Sequence, residues 1–307
     1  MLVIIGYLVV IFSVFGGYYL SGGSMMALFQ PYEFLIIAGA ALGTFIIGNN
    51  PKVIKSSIKN ACSTLKSANY TKKFHIELLS MYFEITNKIR KDGVLSIESE
   101  IEDYENSALF SRYPAVQKDP IIMEFICDHL KLIVTGRVDV QHLELLIDED
   151  IETFQHENEL PINAITKVAD SLPAFGIVAA VMGVVTTMQH ISGSPEELGA
   201  HVAAALVGTF LGVLIGYGFT APIAAILENR LHAVVTLLQS TKVVLLASVH
   251  NLAPSISVEF ARKLLYSEER PSSRQLEEML RDIRANKGAA PAAAADAKEP
   301  NKKSDKK

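Results

Sequence analysis

Residues 1–32, 34–51, 171–195 and 198–227 contain no Asp, Glu, Lys or Arg. Runs of that length constrain the fold more than any other feature of the chain. A water-soluble domain is roughly 25% charged and spreads its charges along every amphipathic element. Here 20% of 307 residues are charged, and they fall between the runs. Mean hydropathy is +0.27. A helix needs about 20 apolar residues to cross a hydrocarbon core of about 30 Å. The runs place four spans at about 2–20, 32–49, 171–190 and 200–226. The first run has no basic flank and is followed closely by the second, so a retained hairpin of spans fits better than a cleaved signal. The expected fold is an all-α polytopic membrane protein with four transmembrane helices and a helical cytoplasmic region.

Basic residues set the orientation. The links "SGGSMMALFQP" and "HISGSPEELG" carry no Lys or Arg, whereas Lys52, Lys55, Lys59, Lys66, Lys72 and Lys73 follow span two and Arg230 and Lys242 follow span four. The basic side stays in the cytoplasm. Both termini are therefore expected there, in a multi-pass inner-membrane protein in contact with lipid. The expected division is 1–50 (spans one and two), 51–169 (cytoplasmic, helical), 170–227 (spans three and four), 228–285 (cytoplasmic, helical) and 286–307 (a tail of low complexity, expected to be disordered).

The cytoplasmic segments have helical spacing. "KKFHIELLSMYFEITNKIRKDG" ends on Gly93, "DPIIMEFICDHLKLIVTG" starts at Pro120 and stops at Gly136, and "DVQHLELLIDEDIETFQHENEL" forms a third helix. "AAILENRLHAVVTLLQSTKVVLLASVHNL" can extend span four into the cytoplasm. Cys62 and Cys127 lie on the cytoplasmic side, where a disulfide is not expected. There is no CxxC, HExxH or phosphate-binding glycine loop. His75, His129 and His142 read as packed or solvated residues. No enzyme chemistry, metal, organic cofactor or nucleic-acid partner is expected.

Acids and small residues carry the remaining information. Glu33 sits at the outer mouth of span two and Asp170 at the inner mouth of span three, with no acid at any span centre. An ionisable group in mid-membrane is costly and usually functional. If ions pass, the central carboxylate is then expected from another chain. Gly176, Ala180, Gly183 and Thr187 form one narrow stripe, and Ala205, Thr209, Gly212, Gly216 and Thr220 form another. Gly208, Gly212 and Gly216 repeat at the spacing of close helix contact. The Thr209 hydroxyl either bonds back to its own helix or faces a passing charge. Pro173 either starts span three or bends it, and Pro222 lies within a helical pattern and kinks it.

With "GYLVVIFSVFGGYYLSGGSMMALFQPYEFLIIAGAALGTFIIGNNPK", "DSLPAFGIVAAVMGVV", "LVGTFLGVLIGYGFTAPIA" and "EFARKLLYSEERPS", the chain resembles the flagellar stator branch of the MotA/TolQ/ExbB proton channel family over nearly its whole length. The resemblance implies a subunit that surrounds, in five copies, two copies of a MotB-like partner carrying the membrane aspartate and a peptidoglycan-binding domain. It assigns Asp170, Pro173, Ala180, Thr209, Tyr217 and Pro222 to the ion pathway and its coupling. It assigns Arg90, Glu98 and Asp150 to contact with the rotor protein FliG; Glu149 adjoins Asp150, and the enteric pattern has glutamate at that position. A Ton- or Tol-type energiser is the nearest alternative.

The coupling ion follows from one position. Sodium-type members tend to carry "GTL" where this chain has Ala179–Val181, which puts Ala180 in place of a threonine. Hard cations need oxygen ligands, and a methyl group offers none. Protons are the expected ion, and no cofactor is implied. Replacing sodium by potassium at constant proton motive force should leave swimming speed unchanged; a collapse of speed would reassign the ion.

Overall fold

The structure, a computed structural model, describes residues 2–65, 70–136, 139–189 and 194–285, the side chain of Glu196 excepted. In chain order its helices are α1 Leu2–Ile11, α2 Gly17–Leu20, α3 Pro31–Gly48, α4 Pro51–Ser63, α5 Lys72–Asp92, α6 Glu98–Glu102 and α7 Pro114–Gln117. There follow α8 Pro120–Thr135, α9 Val140–Gln189, α10 Pro195–Val213, α11 Ala221–Val249, α12 Pro254–Leu264 and α13 Ser273–Ala285. No strand occurs among the described residues. The expected tail 286–307 lies outside them.

Four helical stretches are long and apolar enough to cross a membrane: Leu2–Leu20, Met25–Gly48, Val140–Gln189 and Glu197–Val249. The described residues form two compact units, those within 1–67 and 154–232 and those within 68–153 and 233–307. Helices α9 and α11 contribute to both.

The first unit holds the apolar stretches. One reading of the sequence made Pro173 the start of span three, after a separate cytoplasmic helix. Instead α9 runs 50 residues without interruption, with Pro161 and Pro173 inside it. Each proline removes one backbone donor but leaves the turns on either side intact. On α4 the Ser57 hydroxyl donates to the Val53 carbonyl of its own helix at 2.8 Å and also reaches the Pro161 carbonyl of α9 at 3.2 Å. Helix α4 starts on an Asn50 cap that accepts from the Val53 amide at 2.9 Å, and Arg230 donates to the carbonyls of Ser63 and Thr64 at its far end. Span four does extend as expected, with a π-helical segment Leu214–Thr220 joining α10 to α11.

The second unit is built on α5. Phe74, Leu78, Met81, Tyr82, Ile85 and Ile89 lie buried on it at helical spacing. Its start is capped by Thr71, and Gly93 at φ 85° ends it. On α8, Asp119 caps the start, Pro120 takes the first turn and Gly136 adopts the left-handed stop. His75 and His129 are buried and bond through Nδ1 to the carbonyls of Thr71 and Phe125, whereas His142 is exposed. Cys62 is exposed and Cys127 buried, both as free thiols. Burial pushes the Cys127 thiol up to about 12. The motif "EFARKLLYSEERPS" is a structural clasp. Buried Arg262 bonds Glu259, the Pro271 carbonyl and the Ser273 hydroxyl, and Arg270 bonds the carbonyls of Lys263 and Leu265 as α12 ends.

Helix contact in the first unit depends on glycine. A Cβ on Gly212 would lie 2.6 Å from the Leu172 carbonyl oxygen, whereas one on Gly43 would meet nothing within 4 Å. Overpacking against backbone costs about 1–3 kcal/mol, and glycine to alanine in open helix gains up to about 1 kcal/mol. Gly212→Ala should therefore lower the thermal unfolding midpoint of the purified protein in detergent, and Gly43→Ala should not. Equal shifts would refute the contact.

Candidate ion-pathway and rotor-facing sites

The two small-residue stripes expected on spans three and four meet one another. A Cβ on Gly176 would lie 2.9 Å from the Gly208 carbonyl oxygen and 3.3 Å from the Thr209 Cα. One on Gly183 would lie 2.7 Å from the Ala205 Cβ, and one on Gly208 would lie 3.4 Å from the Ala180 nitrogen. This seam brings Ala180 and Thr209 to the same level. Thr44, Thr186, Thr187 and Thr220 bond back to carbonyls of their own helices. The half-buried Thr209 hydroxyl makes no such bond among the described residues. The back-bonded alternative for Thr209 is therefore not the one adopted.

Asp170 and Pro173 lie about 10–15 Å further along α9, at 1.5 Å per residue. Asp170 is exposed and Pro173 half-buried. Pro173 has no N–H, so the Ala169 carbonyl loses its usual helical donor. That oxygen would lie 2.7 Å from a Cβ on Gly216, and the Pro173 Cδ 3.0 Å from it. Only a glycine lets the π-helical segment pass so close to the carbonyl that Pro173 frees. The proline on α9 and the glycine across from it are one feature.

Pro222 follows the π-helical segment directly and sits in the first turn of α11. A π turn is a common way for a helix to absorb a lost hydrogen bond, and it often marks a functional site. Two hydroxyls satisfy carbonyls there: Thr220 donates to Ile215 at 2.9 Å, and Tyr7 on α1 donates to Phe219 at 3.0 Å. The rings of Tyr7 and Phe219 stack with centroids 5.3 Å apart. Tyr217 lies within the π segment and is 56% exposed. Sequence spacing gave no sign of the π turn or of Tyr7; the only available signal was the proline that follows.

The expected rotor-facing residues lie in the second unit. Arg90 in the last turn of α5 and Glu98 in the first turn of α6 are both exposed, with no ion pair among the described residues. Asp150 differs: its carboxylate lies 3.6 Å from Nε2 of buried His129. The neighbouring Glu149 is exposed. Lys88 pairs with Glu100 at 2.8 Å, and Lys242 with Asp148 at 2.7 Å and Glu144 at 3.2 Å, so these charges serve the unit's own structure. No group of three or more His, Cys, Asp or Glu side chains gathers as metal ligands do among the described residues.

Comparison with known proteins agrees with this geometry. Residues 4–93 match the model for the motility protein A N-terminal region, and residues 117–240 match that for the MotA/TolQ/ExbB proton channel family. The chain is 46% identical to motility protein A of Escherichia coli over 284 residues, covering 92% of this chain and 96% of that protein. It is 45% identical to motility protein A of Salmonella typhimurium over the same shares. Its fold matches a chain of the flagellar MotAB stator complex from Bacillus subtilis with a TM-score of 0.71 at 23% identity, covering 90% of this chain and 98% of that one. On its sequence and its four-span, all-helical fold, the chain belongs to the motility protein A branch of the MotA/TolQ/ExbB proton channel family.

Proposed function

We propose that the chain is the membrane stator subunit of a flagellar motor, which forms a proton channel with a MotB-like partner and converts proton flow into torque. The observation that carries this reading is the seam between α9 and α10. It places an unbonded threonine hydroxyl, Thr209, level with Ala180, and further along α9 it sets Pro173 against Gly216 of the π-helical segment. Likeness to motility protein A over 92% of the chain favours the motor over a Ton- or Tol-type role.

In this reading the partner supplies the membrane carboxylate, and five copies of the chain surround two of the partner. Both termini face the cytoplasm. The chain divides at 50, 169, 227 and 285 into paired spans, cytoplasmic helices, paired spans, cytoplasmic helices and tail. The rotor contact is with FliG, through Arg90, Glu98 and Asp150 or Glu149. Deleting the gene tests the whole reading: flagellar filaments should assemble but not turn. Normal rotation, or absence of filaments, would contradict it.

Asp170, Pro173 and Pro222 couple ion passage to the rotor-facing helices, with Tyr217 beside them. One charge crossing the membrane releases about 2.3 kcal/mol per 100 mV, enough to bias two helix arrangements that differ by a few kcal/mol. Pro173→Ala restores the donor to the Ala169 carbonyl and draws it off Gly216. The variant should still co-purify with the partner yet give little rotation in tethered cells. Normal rotation would reject the hinge, and loss of co-purification would make Pro173 a packing residue.

Exposed ion pairs are worth about 0–1 kcal/mol each and are screened by salt, so several must share the rotor contact. Arg90→Glu should impair swimming more than Arg90→Ala, and a reversed charge on FliG should rescue it. Equal impairment without rescue would return Arg90 to the role of a helix-end cation.

A further inference from the structure

The charge pattern puts Glu33 at the edge of span two, and Pro31 and Glu33 do fall in the first turn of α3. The structure places that edge against the middle of another stretch. The Glu33 Cγ would lie 3.5 Å from a Cβ on Gly208, a point also 3.2 Å from the Ala179 Cβ and 3.4 Å from the Ala180 nitrogen. Ala179 falls midway along the charge-free part of α9, and Gly208 is well inside α10. Glu33 is half-buried, and no hydrogen bond or ion pair reaches it among the described residues. One turn on, Ile36 and Ile37 join an apolar cluster with Leu172, Phe175, Ala179 and Leu211. An unpaired acid set into apolar helices is costly and is seldom kept for structure alone. A first-turn acid complements the helix dipole, but that does not explain why this one leans on a glycine of α10.

We propose that Glu33 is the acceptor that takes protons from the outer side and delivers them to the ion path at the level of Ala180 and Thr209; this rests on reading the chain as a proton-conducting subunit. A carboxylate oxygen gains a proton from outside water and forms an O–H bond. That bond breaks when the proton passes on, directly or through water held at the Thr209 hydroxyl, to the partner's membrane carboxylate. Glu33 returns to its anionic form, and no other reactant is needed. Between transfers its charge raises the local concentration of protons at the seam.

The test uses the chain co-expressed with its partner and reconstituted in vesicles. Proton flux is read with a pH-sensitive dye across a range of external pH and normalised to co-purified complex. Glu33→Gln keeps the size and removes the ionisable group. Its flux should match the parent at acidic external pH and fall about tenfold below it on the alkaline side, the low end of the gain that local charge provides. A profile superimposable on the parent would overturn the proposal. So would flux reduced by one factor at every pH, or lost co-purification, either of which marks a packing residue. A parent complex that conducts no protons at any pH would instead overturn the reading of the chain as a proton channel.

Discussion

The membrane part depends on backbone touching backbone. Carbonyl oxygens of Ala169 and Leu172 on α9 lie 2.7 and 2.6 Å from where a Cβ on Gly216 and Gly212 would stand, and the Gly208 carbonyl lies 2.9 Å from one on Gly176. Without water between apolar spans, association rests on close van der Waals contact and weak Cα–H···O contacts. Packed surfaces of this kind prefer discrete arrangements to continuous deformation. A pair of helices locked so closely can hold a threonine hydroxyl in a fixed place and pass a shift at one level to the next.

The prolines gain their meaning from that seam. Pro173 frees the Ala169 carbonyl, and Gly216 receives it. Gly216 belongs to the π-helical segment, whose carbonyls are partly satisfied by Thr220 and Tyr7, and Pro222 follows in the first turn of α11. Both prolines therefore lie in backbone whose hydrogen bonds are already rearranged. Rearranging them again costs less than breaking an intact helical ladder. That is the physical reason for proposing the coupling step here rather than at the regular turns of α3.

Much of this was legible in the sequence because charge exclusion and small-residue spacing are properties of single helices. The four spans, the Gly93 and Gly136 stops, the Pro120 start and the facing stripes of spans three and four all follow from such patterns. The continuity of α9 did not, because Pro161 and Pro173 signal a break locally. Each proline removes one donor, a loss that the buried face of α9, with Ile162, Ile165, Ala169 and Leu172, offsets. The depth of Glu33 was hidden for a similar reason: it depends on where the start of α3 meets α9 and α10, and no spacing within α3 records that. The surroundings of Asp150 were also not decidable locally, since its neighbour His129 comes from another helix.

The central claim is that protonation at the ion path changes the π segment that precedes Pro222 in span four. Hydrogen–deuterium exchange at the amides of Leu214–Thr220, in complex with a partner whose membrane carboxylate is either intact or replaced by its amide, tests it most directly. The account predicts that exchange in this segment differs between the two complexes while the core amides of α5 do not change. Identical exchange at Leu214–Thr220 in both complexes would contradict it.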